Sequence, residues 1–154
     1  MTTFERRAHA LYSVGLVAIA VGLVAATLIV LGTTSETATC PAFPACLASP
    51  ATWVGLIHEI AAGLLLLLTV AMIALAAGLR REPGHVLGAS IGAFVVLVGM
   101  ASVGAGLASG AVPLGLASIQ FGFLAALVAL IAWAARDARR ISGAPHVVRE
   151  RPSP

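Results

Sequence analysis

The chain has 154 residues, of which 60% are apolar and only 10% are charged. Soluble domains average about 45–50% apolar and about 25% charged residues, so an ordinary water-soluble surface is excluded. The net charge of +3 does not indicate a nucleic-acid-binding protein, because the nine Arg residues lie at the ends of apolar segments and form no basic patch. Composition therefore predicts an integral membrane protein.

Four apolar segments are each long enough to cross a bilayer as a helix, which takes roughly 20 residues. Backbone polar groups cannot stay unpaired in lipid, so each segment is expected to be helical. The first is expected to be an uncleaved anchor, because its apolar run is too long for a signal peptide. The predicted fold is an all-α bundle of four transmembrane helices over residues 1–140, with a disordered tail over 141–154. The predicted spans are 10–32, 51–79, 86–108 and 113–135.

The arginines predict the orientation of the bundle. They precede the first span, lie between the second and third, or follow the fourth, whereas segments 33–50 and 109–112 contain no basic residue. Since cytoplasmic segments carry the excess of Arg and Lys, we expect a multi-pass protein of the cell membrane with both termini cytoplasmic. The segment 33–50 is then extracytoplasmic, and the Arg-rich tail faces anionic lipid.

The extracytoplasmic loop contains two cysteines in the sequence Cys40-Pro-Ala-Phe-Pro-Ala-Cys46. In an oxidising compartment they can form a disulfide that closes a small ring. This disulfide is either a structural staple or a redox-active pair, since short or exposed disulfides tend to be labile. Zinc binding is disfavoured because the loop has no further Cys or His.

The predicted spans contain one imidazole, one carboxyl and one carboxamide side chain, those of His58, Glu59 and Gln120. His58 and Glu59 lie about 10 Å below the outer end of the second span at 1.5 Å per residue, and Gln120 lies in the fourth span at a similar depth. Ionisable residues within a membrane are costly and indicate function. His58 either hydrogen-bonds Gln120 between helices or binds a metal or haem. The glycines of the third span serve close helix packing or leave room for a flat ligand.

The motif that runs from Cys40 to Cys46 is followed by His58, by Ala-Ala-Gly and by a run of leucines over 61–68. This order resembles the outer loop and the following helix of the haem A synthase family. Residues 96–127 resemble the next two helices of that family, with a short turn and a similar rhythm of small residues. The resemblance covers about residues 10–135.

Family members are usually proteins of eight spans built from two similar four-helix bundles, and this chain is similar to the first bundle. The resemblance implies a homodimer, haem ligands, and oxidation of the C8 methyl group of haem O to the formyl group of haem A. Haem O or haem B is then the bound molecule. A haem O-producing enzyme or a terminal oxidase is an implied partner, and the cysteine pair assists redox turnover or stabilises the loop.

The resemblance also implies roles for individual residues. His58 is the expected ligand to haem iron, Gln120 stands where the family has its second His, and Gly55 stands where the family has a Glu. Gln120 is then expected to line the opposite face of a haem held by His58, and Glu59 to handle protons. Two alternatives remain. One is a haem-binding or terminal-oxidase assembly protein without catalysis, and the other is a thiol oxidoreductase that passes electrons from the cysteines to a quinone.

Overall fold

A computed structural model describes residues 3–32, 50–79, 85–108 and 118–143 of the chain. Within these ranges each helix is long and apolar enough to cross a membrane. The predicted fold class, an all-helical membrane bundle with four spans, is confirmed. The loop that carries Cys40 and Cys46, and the tail after residue 143, lie outside the described residues. The helices are α1 (Thr3–Gly32), α2 (Pro50–Ala77), α3 (Val86–Ala108) and α4 (Ile119–Gly143).

The helix bounds agree with the predicted spans where polar residues flank the apolar run closely. The bounds of α3 equal the predicted 86–108, whereas α1 starts before and α4 ends after the predicted span. Those two extensions carry Arg, which is a good helix former and continues the helix beyond the apolar region. The helix α4 therefore includes residues 141–143, which the sequence analysis predicted to belong to the disordered tail. Residues 113–117, the predicted start of the fourth span, lie outside the described residues.

The four helices form a closed up-and-down bundle. Each helix packs against its two neighbours in the order α1, α2, α3, α4 and back to α1, so α2 and α4 lie diagonally opposite each other. Arg7 near the start of α1 contacts Gly78 at the end of α2, and Gln120 at the start of α4 contacts Gly104 near the end of α3. We call the end of the bundle that holds the start of α1 the arginine end. Which end is cytoplasmic stays a prediction.

Small side chains dominate the centre of the bundle. Ten of the eighteen buried hydrophobic residues in the described ranges are alanines, and the largest fully buried side chains include Leu11, Leu65, Met72 and Ile131. Lipid tails are as apolar as leucine, so helices in a membrane associate through close packing rather than through removal of apolar surface from water. Alanine-rich contacts permit that close packing.

Two polar side chains are fully buried in this core, and both are satisfied within their own helix. The Thr69 hydroxyl donates to the Leu66 carbonyl at 2.8 Å, and the Ser90 hydroxyl donates to the Val86 carbonyl at 2.8 Å. Because these bonds stay within one helix, neither residue fixes how the helices associate.

Candidate functional site

His58 lies on α2 toward the end of the bundle opposite the arginines, and its half-buried ring faces α1. Its Nδ1 lies 3.3 Å from the carbonyl oxygen of Ala25. A carbonyl oxygen can only accept a hydrogen bond, so Nδ1 must carry a proton to bond to it. In the neutral imidazole with its proton on Nδ1, Nε2 has a lone pair that can bind a ligand. Metal-binding histidines commonly have this arrangement, in which one ring nitrogen donates to a carbonyl and the other binds the metal.

Small residues on both helices bring α1 close enough for this bond. Ala25 and Ala61 are buried, and a Cβ placed on Gly22 would meet the Leu65 side chain at 3.7 Å. Larger side chains at these positions would hold α1 away from α2. The imidazole would then fall short of the Ala25 carbonyl, so the orientation of His58 depends on this local packing.

Gln120 lies in the first turn of α4 and contacts a different helix. Its Nε2 would lie 3.1 Å from a Cβ placed on Gly104 of α3. The helices α2 and α4 lie diagonally opposite each other, so His58 and Gln120 are not on neighbouring helices. The imidazole of His58 bonds to the Ala25 carbonyl of α1 instead. The alternative in which these two side chains hydrogen-bond each other is therefore not the arrangement found.

The depths of His58 and Gln120 can be compared from a shared level in the core. Met72 of α2 and Ile131 of α4 both approach Gly15, so they lie at one level. At 1.5 Å per residue, His58 lies about 21 Å from that level and Gln120 about 17 Å, in the same direction. The two side chains are thus within one helical turn in depth, on opposite corners of the same end.

Glu59 points away from the bundle interior. It follows His58 on the helix, so its side chain lies about 100° round the axis. His58 faces α1, whereas Glu59 is exposed on the outer surface of α2. The sequence predicted that the two side chains could not point in one direction, and the structure agrees. Within one chain, Glu59 does not face the α1 carbonyl to which His58 bonds.

Most glycines of α3 are used for packing. A Cβ on Gly92 would lie 3.4 Å from Leu130, and one on Gly99 would lie 3.4 Å from Phe123 of α4. These glycines allow α3 and α4 to approach closely, as the packing interpretation of the sequence predicted. A recess of about 490 Å³ at the arginine end, the end opposite His58, is lined by Trp133, Arg136 and Arg140.

Contacts at the arginine end were not predicted from the sequence. The ring of His85 meets the ring of Trp133 edge-on, with centroids 6.1 Å apart. The guanidinium carbon of Arg139 lies 5.8 Å from the centre of the Tyr12 ring. The only available signal was the placement of aromatic residues near Arg at helix ends, which is common at membrane interfaces and does not specify pairs.

The described residues hold no group of three or more His, Cys, Asp or Glu side chains that could bind a metal ion directly. A bare metal ion takes three or four protein ligands, whereas haem iron needs only one or two because the porphyrin supplies the others. Comparisons with protein-family models, with curated proteins and with solved structures found no match to this chain.

Proposed function

We propose that this chain is a haem-binding membrane oxidoreductase of the haem A synthase type, in which His58 binds iron through Nε2. The observation that carries the proposal is the contact of His58 Nδ1 with the Ala25 carbonyl, which orients the ring so that Nε2 of the neutral imidazole can bind a ligand. The spacing of His58 from the Cys40–Cys46 motif, which resembles that family, supports the same assignment. The proposed homodimer replaces the two fused bundles of the longer family members.

The proposed reaction converts the C8 methyl group of haem O into the formyl group of haem A. With dioxygen as oxidant, one methyl group and one O₂ give one formyl group and one water. The bound haem supplies the redox chemistry. The protein's part is to hold the porphyrin: His58 binds and orients it. Gln120 offers an amide at nearly the same depth, and Glu59 exchanges protons at the outer surface of α2.

A second candidate function is haem binding without catalysis, as in an oxidase-assembly protein. Two observations favour it. Glu59, the candidate for proton exchange, is exposed on a face of α2 other than the one that holds His58. Gln120 lies on the diagonal helix, against Gly104. A site that would hold haem through the His58 imidazole, with the Glu59 carboxylate on another face of α2, suits storage or delivery of haem.

One experiment separates the two candidates. The chain is expressed in cells that supply haem O and purified in detergent, and its haem is identified by the pyridine-haemochrome spectrum and by mass. Haem A in the expressing cells, absent from cells without the chain, supports the synthase. Bound haem B or haem O without haem A supports the binding protein, and a chain without haem contradicts both.

The side of the membrane on which the Cys loop lies is also part of this proposal. The four apolar helices are compatible with a multi-pass membrane protein, but they do not set which side the loop faces. We infer that Cys40 and Cys46 are extracytoplasmic and joined by a disulfide. After reduction, a thiol reagent that cannot cross membranes should label them in intact cells. If labelling required lysis, the proposed orientation would be wrong. If Cys40→Ser and Cys46→Ser left haem A formation unchanged, the disulfide would be a staple and would not take part in that reaction.

A further inference from the structure

The outer face of α4 forms a recess of about 490 Å³ at the arginine end of the bundle. Its lining residues recur every three or four positions and so share one side of the helix. The residues of α4 that face the core, such as Ile131 and Ala138, lie on the opposite side, so the recess opens toward lipid. We call it the α4 recess. It is lined by Ala129, Ala132, Trp133, Arg136, Asp137 and Arg140.

The α4 recess changes from apolar to charged along the helix. Ala129 and Ala132 belong to the predicted span 113–135, whereas the two arginines follow it. Trp133 lies between these two parts, and the ring of His85 from α3 meets its ring edge-on at 6.1 Å. A tryptophan at the border between hydrocarbon and charged residues is typical of the level of lipid head groups. The two small alanines leave a shallow face beside the hydrocarbon, along which an acyl chain can lie.

The charges of the α4 recess favour a monovalent anion. The Asp137 carboxylate lies 3.8 Å from the guanidinium of Arg140, so these two charges largely offset each other. The Arg136 side chain is exposed and forms no ion pair with any residue in the described ranges. Two guanidinium groups and one carboxylate give the recess a net charge of +1. A single negative charge on the ligand therefore completes the site.

A phosphodiester has that charge and the geometry to match. The planar guanidinium group presents paired N–H donors that bind two oxygens of one phosphate. Basic groups just beyond a membrane span are common binding places for anionic head groups. The recess also has the size of a ligand pocket, which is about 300–1,000 Å³, and thus has room for more than a bare phosphate ion.

We propose that the α4 recess binds an anionic phospholipid that has one phosphodiester and no ammonium group, such as phosphatidylglycerol. Arg136 binds the phosphate, Trp133 packs against the glycerol region, and an acyl chain lies along Ala132. A zwitterionic lipid fits less well, because its ammonium group would enter a positively charged recess whose one carboxylate is already paired with Arg140. The inference does not depend on haem, since the recess lies at the end of the bundle opposite His58.

Quenching of Trp133 fluorescence by lipids with brominated acyl chains tests this inference. Trp53→Phe leaves Trp133 as the one tryptophan of the chain. In vesicles of phosphatidylcholine, we expect brominated phosphatidylglycerol to quench Trp133 with an apparent affinity at least threefold higher than brominated phosphatidylcholine or phosphatidylethanolamine. Equal quenching by the three lipids would overturn the inference.

Two arginine variants show whether the recess or the charge of the whole chain selects the lipid. Arg136→Gln should abolish the preference for phosphatidylglycerol. Arg139→Gln is the matched control, because it removes the same charge from the same helix, and the Arg139 guanidinium lies over the Tyr12 ring rather than in the recess. The control should keep the full preference. Equal loss in both variants would mean that net charge selects the lipid, which contradicts a site at Arg136.

Inorganic phosphate distinguishes a lipid site from a site for the free ion. At an ionic strength held constant with chloride, added phosphate should leave the preference unchanged, because it has no acyl chain. Loss of the preference in phosphate but not in chloride would assign the recess to the free ion and overturn the lipid inference.

Mass spectrometry of the chain purified in detergent keeps the test decisive if Arg136→Gln folds poorly. The original chain and Arg139→Gln should each retain phosphatidylglycerol in preference to phosphatidylethanolamine. Retention of both lipids in proportion to their abundance in the membrane, or of neither, would contradict the proposed site.

Discussion

Gly15 of α1 lies so close to Ala135 of α4 that a Cβ placed on Gly15 would come within 3.0 Å of the Ala135 Cβ. Ile131 and Met72 close the remaining sides at 3.7 and 3.8 Å. No flexible side-chain end is available to move away, because the nearest atom is attached directly to the α4 backbone. This contact sets the distance between α1 and α4.

Substitution of Gly15 by Val should therefore force α1 and α4 apart. Overpacking of a close helix contact typically costs about 1–3 kcal/mol, so we expect a clear drop in the free energy of unfolding in mixed micelles. Gly88→Val is the matched control, because a Cβ there meets nothing within 4 Å. Equal stability of the two variants would show that the close contact of α1 with α4 does not exist.

Arg7 and Gly78 form a second contact whose energy can be measured. The guanidinium of Arg7 occupies the space into which a Gly78 side chain would project, at the end of α2. A cation at this position interacts favourably with the last carbonyls and the dipole of the helix. We expect Gly78→Ala to displace Arg7 and to lower the free energy of unfolding by about 0.5–1 kcal/mol.

A double-mutant cycle checks this explanation. If displacement of Arg7 is the cause, Gly78→Ala should cost much less in a chain that already has Arg7→Ala, and the two effects should not add. Additive effects would mean that the alanine acts on the α2 turn itself and not through Arg7.

Tyr12 and Arg139 connect α1 with α4 at the arginine end through a cation–π contact. Such contacts contribute about 0.5–1 kcal/mol where they are exposed. Tyr12→Phe keeps the aromatic ring and should leave the melting temperature nearly unchanged, whereas Tyr12→Leu should lower it. In a chain with Arg139→Gln the two Tyr12 variants should become similar. A persistent difference there would assign the effect to ring packing alone.

Hydropathy predicted the fold because a bilayer permits few solutions. Apolar segments of about 20 residues must form helices when they cross lipid, so their number and order follow from length and composition. The helix α3 covers the residues of its predicted span, whereas α1 starts before its span and α4 extends beyond its span. Apolar residues mark the part of a helix that crosses hydrocarbon, and the Arg-bearing turns remain helical beyond it.

The candidate site was predicted only in part. The sequence singled out His58 because ionisable residues are rare within a span. It did not reveal the acceptor of the His58 hydrogen bond, since the Ala25 carbonyl is a backbone group with no sequence signature. The sequence correctly placed Gln120 at the same end of the bundle as His58. It did not predict the contact of Gln120 with Gly104, because that contact depends on which helices are adjacent in the bundle. Apolar helices have no strong sequence pattern that fixes this order.

The most direct test of the central claim, that His58 binds haem iron, is the optical spectrum of the purified chain beside two histidine variants. We expect a Soret band in the original chain and in His85→Ala, whose ring contacts Trp133 at the other end of the bundle. His58→Ala should lose most of the band and regain it when free imidazole is added. Undiminished haem in His58→Ala, or no Soret band in the original chain after haem is supplied, would contradict the claim.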